Sequence, residues 1–410
     1  MKAAQLFVMF ALFCVAIPAT AKEKILIISA EQTGVFNTGG LGHTVAGLAK
    51  AFAQSGNEAN VLMPFYSRIE QTFKGPIVDE GFDYSMTWGL KDRIEFKLYS
   101  VTPPNGVKTY LLKAISPANF FENTQRPGEP LGYTNHPHGM QAFAIFSKMA
   151  ATFVSRRRFS VINTHDWHTG LVGYFLKEYK NLRLIDLRER RLIFTISNLG
   201  YQGLLSKDTV PKFEVHPAHF IPEQYEFYGQ FNMMKVGIKD SDAVLTVSKN
   251  YLDEILTPRF GNGLEGFLKA HSAKKPVAAI TNGADLEAWT PKDFSPDDLV
   301  QKHQGKLQIQ KILGLQEGLQ YPLFALTPRI AHQKGYDYLP LALEKFLQKN
   351  AQSQIIVMGD GDAQYIKNLE SVAAKFPGRM IYSAFRSELE IPVTKPIPWR
   401  IYKKIGREFC

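Results

Sequence analysis

The chain has 410 residues, 45% of them hydrophobic and 21% charged. That composition is globular, excludes a disordered or fibrous protein, and leaves room for two or three domains. The net charge of +10 would suit nucleic acid or an acidic surface. The lysines and arginines are scattered, however, with short runs only at Arg156–Arg158 and near the C-terminus, and no basic helix is interleaved with aromatics, which argues against nucleic acid.

The chain opens with Lys2, the apolar run Leu6–Ile17, Pro18 and the small-residue pattern Ala19-Thr20-Ala21. This is the layout of a secretory signal peptide over residues 1–21, with the mature chain starting near Lys22. An uncleaved anchor fits less well because the run is short for a bilayer. The expectation is therefore an exported protein, periplasmic or secreted, with no integral membrane segment after cleavage. Cys14 leaves with the leader and Cys410 ends the chain, so an intramolecular disulfide is not expected.

From Lys24 onward, short apolar runs alternate with amphipathic segments. KILIISA, NEANVLMPFY, FSVINTHD, RLIFTIS, DAVLTVS, PVAAITNG, LFALTPR, SQIIVMGDGD and GRMIYSAF read as buried strands ending in polar or glycine-rich loops. TVAGLAKAFAQSG, TGLVGYFLKEYK and YDYLPLALEKFLQKN read as helices between them. The rhythm predicts a parallel α/β fold with ligands at the carboxyl ends of the strands. The polar stretch after Trp289 marks a boundary. It gives an N-terminal domain over 22–289, a linker over 290–320, a partial C-terminal domain over 321–390 and an aberrant basic tail over 391–410.

Three segments could carry chemistry. The first strand runs into Thr38-Gly39-Gly40-Leu41-Gly42, where backbone N–H groups and a helix start can face an anion. The spacing is neither G-x-G-x-x-G nor a P-loop, so phosphate contact and a tight structural turn are both open. The cluster His165, Asp166, Trp167 and His168 follows another strand and suits sugar, an aromatic face stacking on the ring while polar groups grip hydroxyls. A metal held by His165 and His168 lacks a third ligand. Arg329 and Lys334, at the end of a later strand, suit a pyrophosphate clamp.

In combination these segments resemble the bacterial glycogen synthases and plant starch synthases, which extend α-1,4-glucan from ADP-glucose. Asn37–His43 is similar to that family's K-T-G-G-L-(G/A)-D, His165–Thr169 to its H-D-W-H-T, and Thr195–Gly203 to its T-I-H-N-L-A-Y-Q-G. Gly229–Leu268, NGADLEAWTP and TPRIAHQKG follow in the family's order. The resemblance implies a GT-B architecture, two Rossmann-like domains facing a cleft, and transfer with retention of configuration. It implies no metal and no cofactor, with a nucleotide sugar and an α-glucan as partners. Thr38, Gly39, Gly40, Asn198, Arg329 and Lys334 would meet the donor. His165, Asp166, Trp167, His168, Tyr201 and Gln202 would line the acceptor side.

The pattern also breaks. The family's lysine is Asn37, its sugar-contacting aspartate is His43, and its T-I-H-N histidine is Ser197. Its later R-F-E-P-C-G segment has no counterpart before the composition changes after Glu390, as if the reading frame were interrupted there. The C-terminal domain is therefore expected to be incomplete, with an uncovered apolar edge. The alternative to a transferase is a degenerate glucan-binding relative that has lost its donor.

Overall fold

The computed structural model describes residues 22–88, 92–116, 121, 137–285, 287 and 299–384. The leader at 1–21, the boundary at Trp289 and the tail at 391–410 lie outside them. The chain divides into two compact units, the first ending at Gly283 and the second starting at Ala284. Among the described residues no helix is long and apolar enough to cross a membrane.

In the first unit β1 (Lys24–Ile28) leads through the glycine turn into α1 (Gly40–Gln54), β2 (Glu58–Pro64) and the short α2 (Ser67–Thr72). Next come β3 (Val78–Trp88), β4 (Asp92–Val101) and β5 (Thr109–Ser116), then α3 (Pro137–Ser155), β6 (Val161–His165), α4 (Val172–Asn181) and β7 (Arg191–Ile196). A small antiparallel sheet of β8 (Leu204–Ser206), β9 (Glu226–Phe227) and β10 (Gln230–Asn232) precedes α5 (Met233–Asp240). The unit closes with β11 (Ala243–Thr246), α6 (Lys249–Ile255), α7 (Glu265–Ser272) and β12 (Val277–Ala279). The main sheet has nine strands in the order β12-β11-β7-β6-β1-β2-β5-β4-β3.

Residues 25–28 of β1 are all at most 4% exposed, because a central parallel strand is covered on both faces and so reads as a continuous apolar run. The antiparallel β3-β4-β5 edge was not foreseen, since the search for continuous runs passes over it. β4 instead alternates, with Ile94, Phe96 and Leu98 buried between Arg93, Glu95 and Lys97. That is the period of a strand with one wet face. Helix α3 was missed as well. It buries Phe143, Phe146, Met149 and Phe153 to 1% exposure or less, and a helix apolar on nearly all sides belongs inside a core.

The second unit contains α8 (Leu299–Ile312), β13 (Leu323–Leu326), α9 (Leu339–Lys349), β14 (Gln354–Met358), α10 (Ala363–Lys375) and β15 (Met380–Ser383). Its parallel sheet runs β13-β14-β15. β14 sends Ile355 and Val357 into one cluster with Leu343, Leu347, Leu369 and Val372 of α9 and α10. Ile356 and Met358 point the other way, onto Ile309, Leu313 and Leu315. The reading of 290–320 as a linker is thus corrected from Leu299 onward: this polar stretch is a helix covering a face of the sheet. It looked like a linker because it docks through few apolar side chains and one buried amide. Gln310 Nε2 donates to Gln354 Oε1 at 2.8 Å, and Gln310 Oε1 accepts the Gly318 N–H at 3.0 Å.

Helix α5 lies so close to β7 that a Cβ on Gly237 would stand 2.3 Å from the Phe194 ring. Overpacking of this kind costs about 1–3 kcal/mol. Gly237→Ala is therefore expected to lower the urea midpoint of the first unit by that amount. Combined with Phe194→Leu it should cost less than the two changes added, because the smaller side chain vacates the space. An unchanged midpoint for Gly237→Ala would refute the close approach.

Candidate functional site

Three adjacent parallel strands end side by side. Ile28 of β1 pairs with Thr164 of β6, and His165 of β6 pairs with Thr195 of β7. Beyond these ends come Ser29–Glu31, Asp166 and Ser197–Asn198. The chain leaves β1 toward β2 on one side and returns to β6 on the other. A crevice at the carboxyl ends therefore opens at this reversal of strand order.

Asp166 is the most constrained residue there. Its backbone lies at φ 57°, ψ 179°, a region that is essentially glycine's and costs on the order of 1–3 kcal/mol. The side chain is 7% exposed and accepts the Ser197 N–H at 2.7 Å. Burial pushes its carboxyl up to about 6, against the pull of the Ser197 and Asn198 backbone N–H groups, and the nearby Glu31 carboxylate adds to the rise.

The other three members of the cluster face inward. Trp167 is 2% exposed and packs on Phe143 and His168 with centroids 5.4 and 4.0 Å away. The stacking on sugar expected of it is corrected: the indole has no open face. His165 is fully buried, with Nε2 against Asn163 Oδ1 at 2.8 Å. Burial pulls His165 down to about 4 and His168 to about 3, so both are neutral at physiological pH.

Of the remaining expected residues, Gln202 is a strut. Its amide donates to the Leu199 and Asn262 carbonyls, both at 3.1 Å, and accepts from Asn232 Nδ2 at 2.6 Å. Asn198 and Tyr201 are half-buried, and Asn198 Oδ1 accepts the Gly200 N–H at 2.9 Å, setting the turn after β7. Thr38, Gly39 and Gly40 form the entry to α1, with Gly39 as its N-cap. Thr38 gives its N–H (2.6 Å) and its hydroxyl (3.0 Å) to Glu31 Oε2, while Gly42 N–H meets Glu31 Oε1 at 2.9 Å. Glu31 was missed by the sequence analysis. Its signal was an acidic residue directly after an apolar strand.

Arg329 and Lys334 belong to the second unit, both exposed in the loop that follows β13. The loop is fastened in two ways. Ile330 N–H donates to Asp360 O and Asp362 N–H to Ile330 O, both at 2.9 Å, and a Cβ on Gly361 would lie 1.9 Å from Ile330 O. Asp337, also missed, pairs with His332 Nδ1 at 2.6 Å and accepts the Tyr365 hydroxyl of α10. Those two contacts, Tyr365 first, hold its carboxyl below the usual range.

Comparison with known proteins agrees with this geometry. A profile described as the starch synthase catalytic domain matches residues 24–270. The glycogen synthase of Geotalea uraniireducens is 30% identical over 381 residues, covering 89% of this chain and 75% of the relative. Glycogen synthase 2 of Geobacter metallireducens is 31% identical over 361 residues, covering 86% and 72%. Among solved structures, the catalytic domain of Starch Synthase IV from Arabidopsis thaliana, bound to ADP and acarbose, matches with a TM-score of 0.81. Its identity is 24%, over 91% of this chain and 76% of that one. The α/β, GT-B type of fold is thereby shown.

The buried groups set opposing pH dependences. His165 and His168, lowered from 6.5 to about 4 and about 3, contribute stability that is complete above 6.5 and lost as pH falls through those values. Together they amount to roughly 8 kcal/mol at about 1.4 kcal/mol per pH unit. Asp166, raised from 3.8 to about 6, contributes stability present below 3.8 and lost as pH rises through 6, about 3 kcal/mol on the same scale. The histidines win, so the first unit is expected to weaken on acidification below pH 6. Asp166→Asn should be more stable than the unmutated chain at pH 7.5, by about 1–3 kcal/mol, and equal to it below pH 4. Urea unfolding at the two pH values checks this, and equal stability at pH 7.5 would refute the desolvated carboxylate.

Proposed function

The chain belongs to the glycogen and starch synthase family of glucosyltransferases, and from that premise we propose that it transfers glucose from ADP-glucose to the end of an α-1,4-glucan, with retention of configuration. The C1–O bond to the diphosphate is exchanged for one to a glucan hydroxyl, releasing nucleoside diphosphate and a proton. The observation that carries this reading is the convergence of Asp166, Ser197–Asn198 and the glycine turn at adjacent strand ends. A carboxylate that desolvation has stripped of water binds sugar hydroxyls more strongly than an exposed one. Ionised above pH 6, Asp166 accepts hydroxyl hydrogens from the sugar, while Asn198 lies beside it. Arg329 and Lys334 neutralise the charge that grows on the leaving diphosphate. The ADP in the Arabidopsis structure supports the choice of nucleotide.

A second reading is favoured by one position: Ser197 stands where the family has histidine, so no imidazole donor meets the reacting sugar. Electrostatic donors of this type contribute about 10²–10³ in rate. We therefore take turnover in this chain to be slow, and glucan binding without transfer is the limiting case.

Calorimetric titration with ADP-glucose and with maltoheptaose tests the reading. Both ligands are expected to bind the unmutated chain. Arg329→Ala and Lys334→Ala should each weaken ADP-glucose by about 10- to 100-fold, as expected for a lost charge-assisted contact, and leave maltoheptaose unchanged. Glucan binding with no donor binding would reject the transferase. Ser197→His is expected to raise the transfer rate by about 10²-fold or more. An unaltered rate would show that the serine is not what limits the reaction.

A further inference from the structure

We propose that Glu31 is the resident anion of the glycine turn: a positioning residue that holds Thr38 and Gly42, and so fixes which N–H groups a donor diphosphate can meet. The inference deepens the transferase reading above and rests on it. A strand, a glycine turn and a helix start usually offer their N–H groups to an external anion. Here the anion is part of the chain. The Glu31 carboxylate, 1% exposed, takes the Thr38 N–H, the Thr38 hydroxyl and the Gly42 N–H at 2.6, 3.0 and 2.9 Å. A carboxylate with three donors is held in its charged form, and each such charge-assisted bond is stronger than a neutral one.

The arrangement is locked from both sides. Behind it, the Ser29 hydroxyl donates to Glu31 O at 2.9 Å, and Glu31 N–H donates to Ser29 Oγ at 3.2 Å. Across the turn, Thr33 N–H donates to Gly42 O at 3.0 Å. A Cβ on Gly42 would meet Asn37 Cβ at 2.5 Å and Thr33 N at 3.1 Å, so the helix start is seated directly on the preceding loop. Gly39 and Gly40 differ. An added Cβ would have only Glu31 Oε1 at 3.8 Å near the first and nothing within 4 Å of the second. The turn therefore has an inner edge consumed by Glu31 and an outer edge, Gly39 to Leu41, whose backbone a phosphate can approach.

The position of the charge matters as well as its bonds. Glu31 acts on Asp166 as a like charge, so the sugar side of this unit already carries two carboxylates before any diphosphate arrives. With Asn37 in place of the family's lysine, the turn has no cation of its own beside the resident anion. Geometry must then supply what charge does not, and a loosened turn would lose donor affinity directly.

The test compares Glu31→Ala and Glu31→Gln with the unmutated chain. The readouts are calorimetry with ADP-glucose and maltoheptaose, thermal unfolding, and deuterium exchange in the peptide spanning Thr38 and Gly42. Support would be at least tenfold weaker ADP-glucose binding by Glu31→Ala, maltoheptaose within twofold, less than threefold loss for Glu31→Gln, which keeps one acceptor oxygen, and at least tenfold faster exchange in Glu31→Ala. Parallel loss of both ligands and of thermal stability in both variants would overturn the proposal, leaving Glu31 a structural residue only. If the unmutated chain binds no ADP-glucose, the transferase reading fails by itself. Exchange still decides the anchoring: acceleration in Glu31→Ala supports it, and unchanged exchange overturns it.

Discussion

The site depends on the parallel register of β1, β6 and β7. Parallel strands carry all their carboxyl ends to one edge of the sheet, and the reversal of strand order at β1 keeps that edge uncovered by the connecting helices. Residues 31, 166 and 197, far apart in the chain, come together because Ile28 stands beside Thr164 and His165 beside Thr195. A register slip of one residue would turn these side chains to the other face of the sheet. The continuous burial of residues 25–28 specifies the register and so protects the site.

The same edge is where the first unit is least relaxed. Asp166 combines a glycine-like backbone conformation with a desolvated carboxyl, and two buried histidines beside it are held neutral. Strain and desolvation of this kind persist only where the surroundings over-determine them. Here the surroundings are α3, whose aromatic side chains pack against Trp167 and His168, and the Gln202–Asn232 amide pair. Trp167 thus serves the site from behind. It fixes the position of its neighbour Asp166 and presents no face to a ligand.

The second unit solves a simpler problem with the same means. Its central strand is buried on both faces, by α9 and α10 on one and α8 on the other. That leaves the loop after β13 to be held by backbone bonds to Asp360 and Asp362 and by the Asp337 carboxylate. Two exposed cations are carried on a loop whose backbone is tied down at Ile330. A clamp needs that combination, since a mobile loop would lose its binding energy to ordering.

The sequence by itself determined the strands that are buried on both faces, because such strands must be continuous apolar runs, and the loops at their ends, because glycine and polar residues must interrupt those runs. It therefore showed the α/β class, the family and the segments around residues 38–42, 165–168, 195–203 and 327–335. It did not show the alternating β4, the apolar α3 or the helical nature of α8. Half-buried, fully buried and amide-docked elements each depart from the simple pattern in their own way. Only the tertiary structure decided which residues within a segment face outward. His165, Trp167 and Asp166 are consecutive or nearly so, yet two are core and one is site, because a single backbone torsion at Asp166 turns its carboxylate to the strand end. Only the tertiary structure, too, placed Glu31 against Thr38 and Gly42. A hydrogen bond from a carboxylate to a backbone N–H leaves no mark on residue type, since every residue but proline carries the donor.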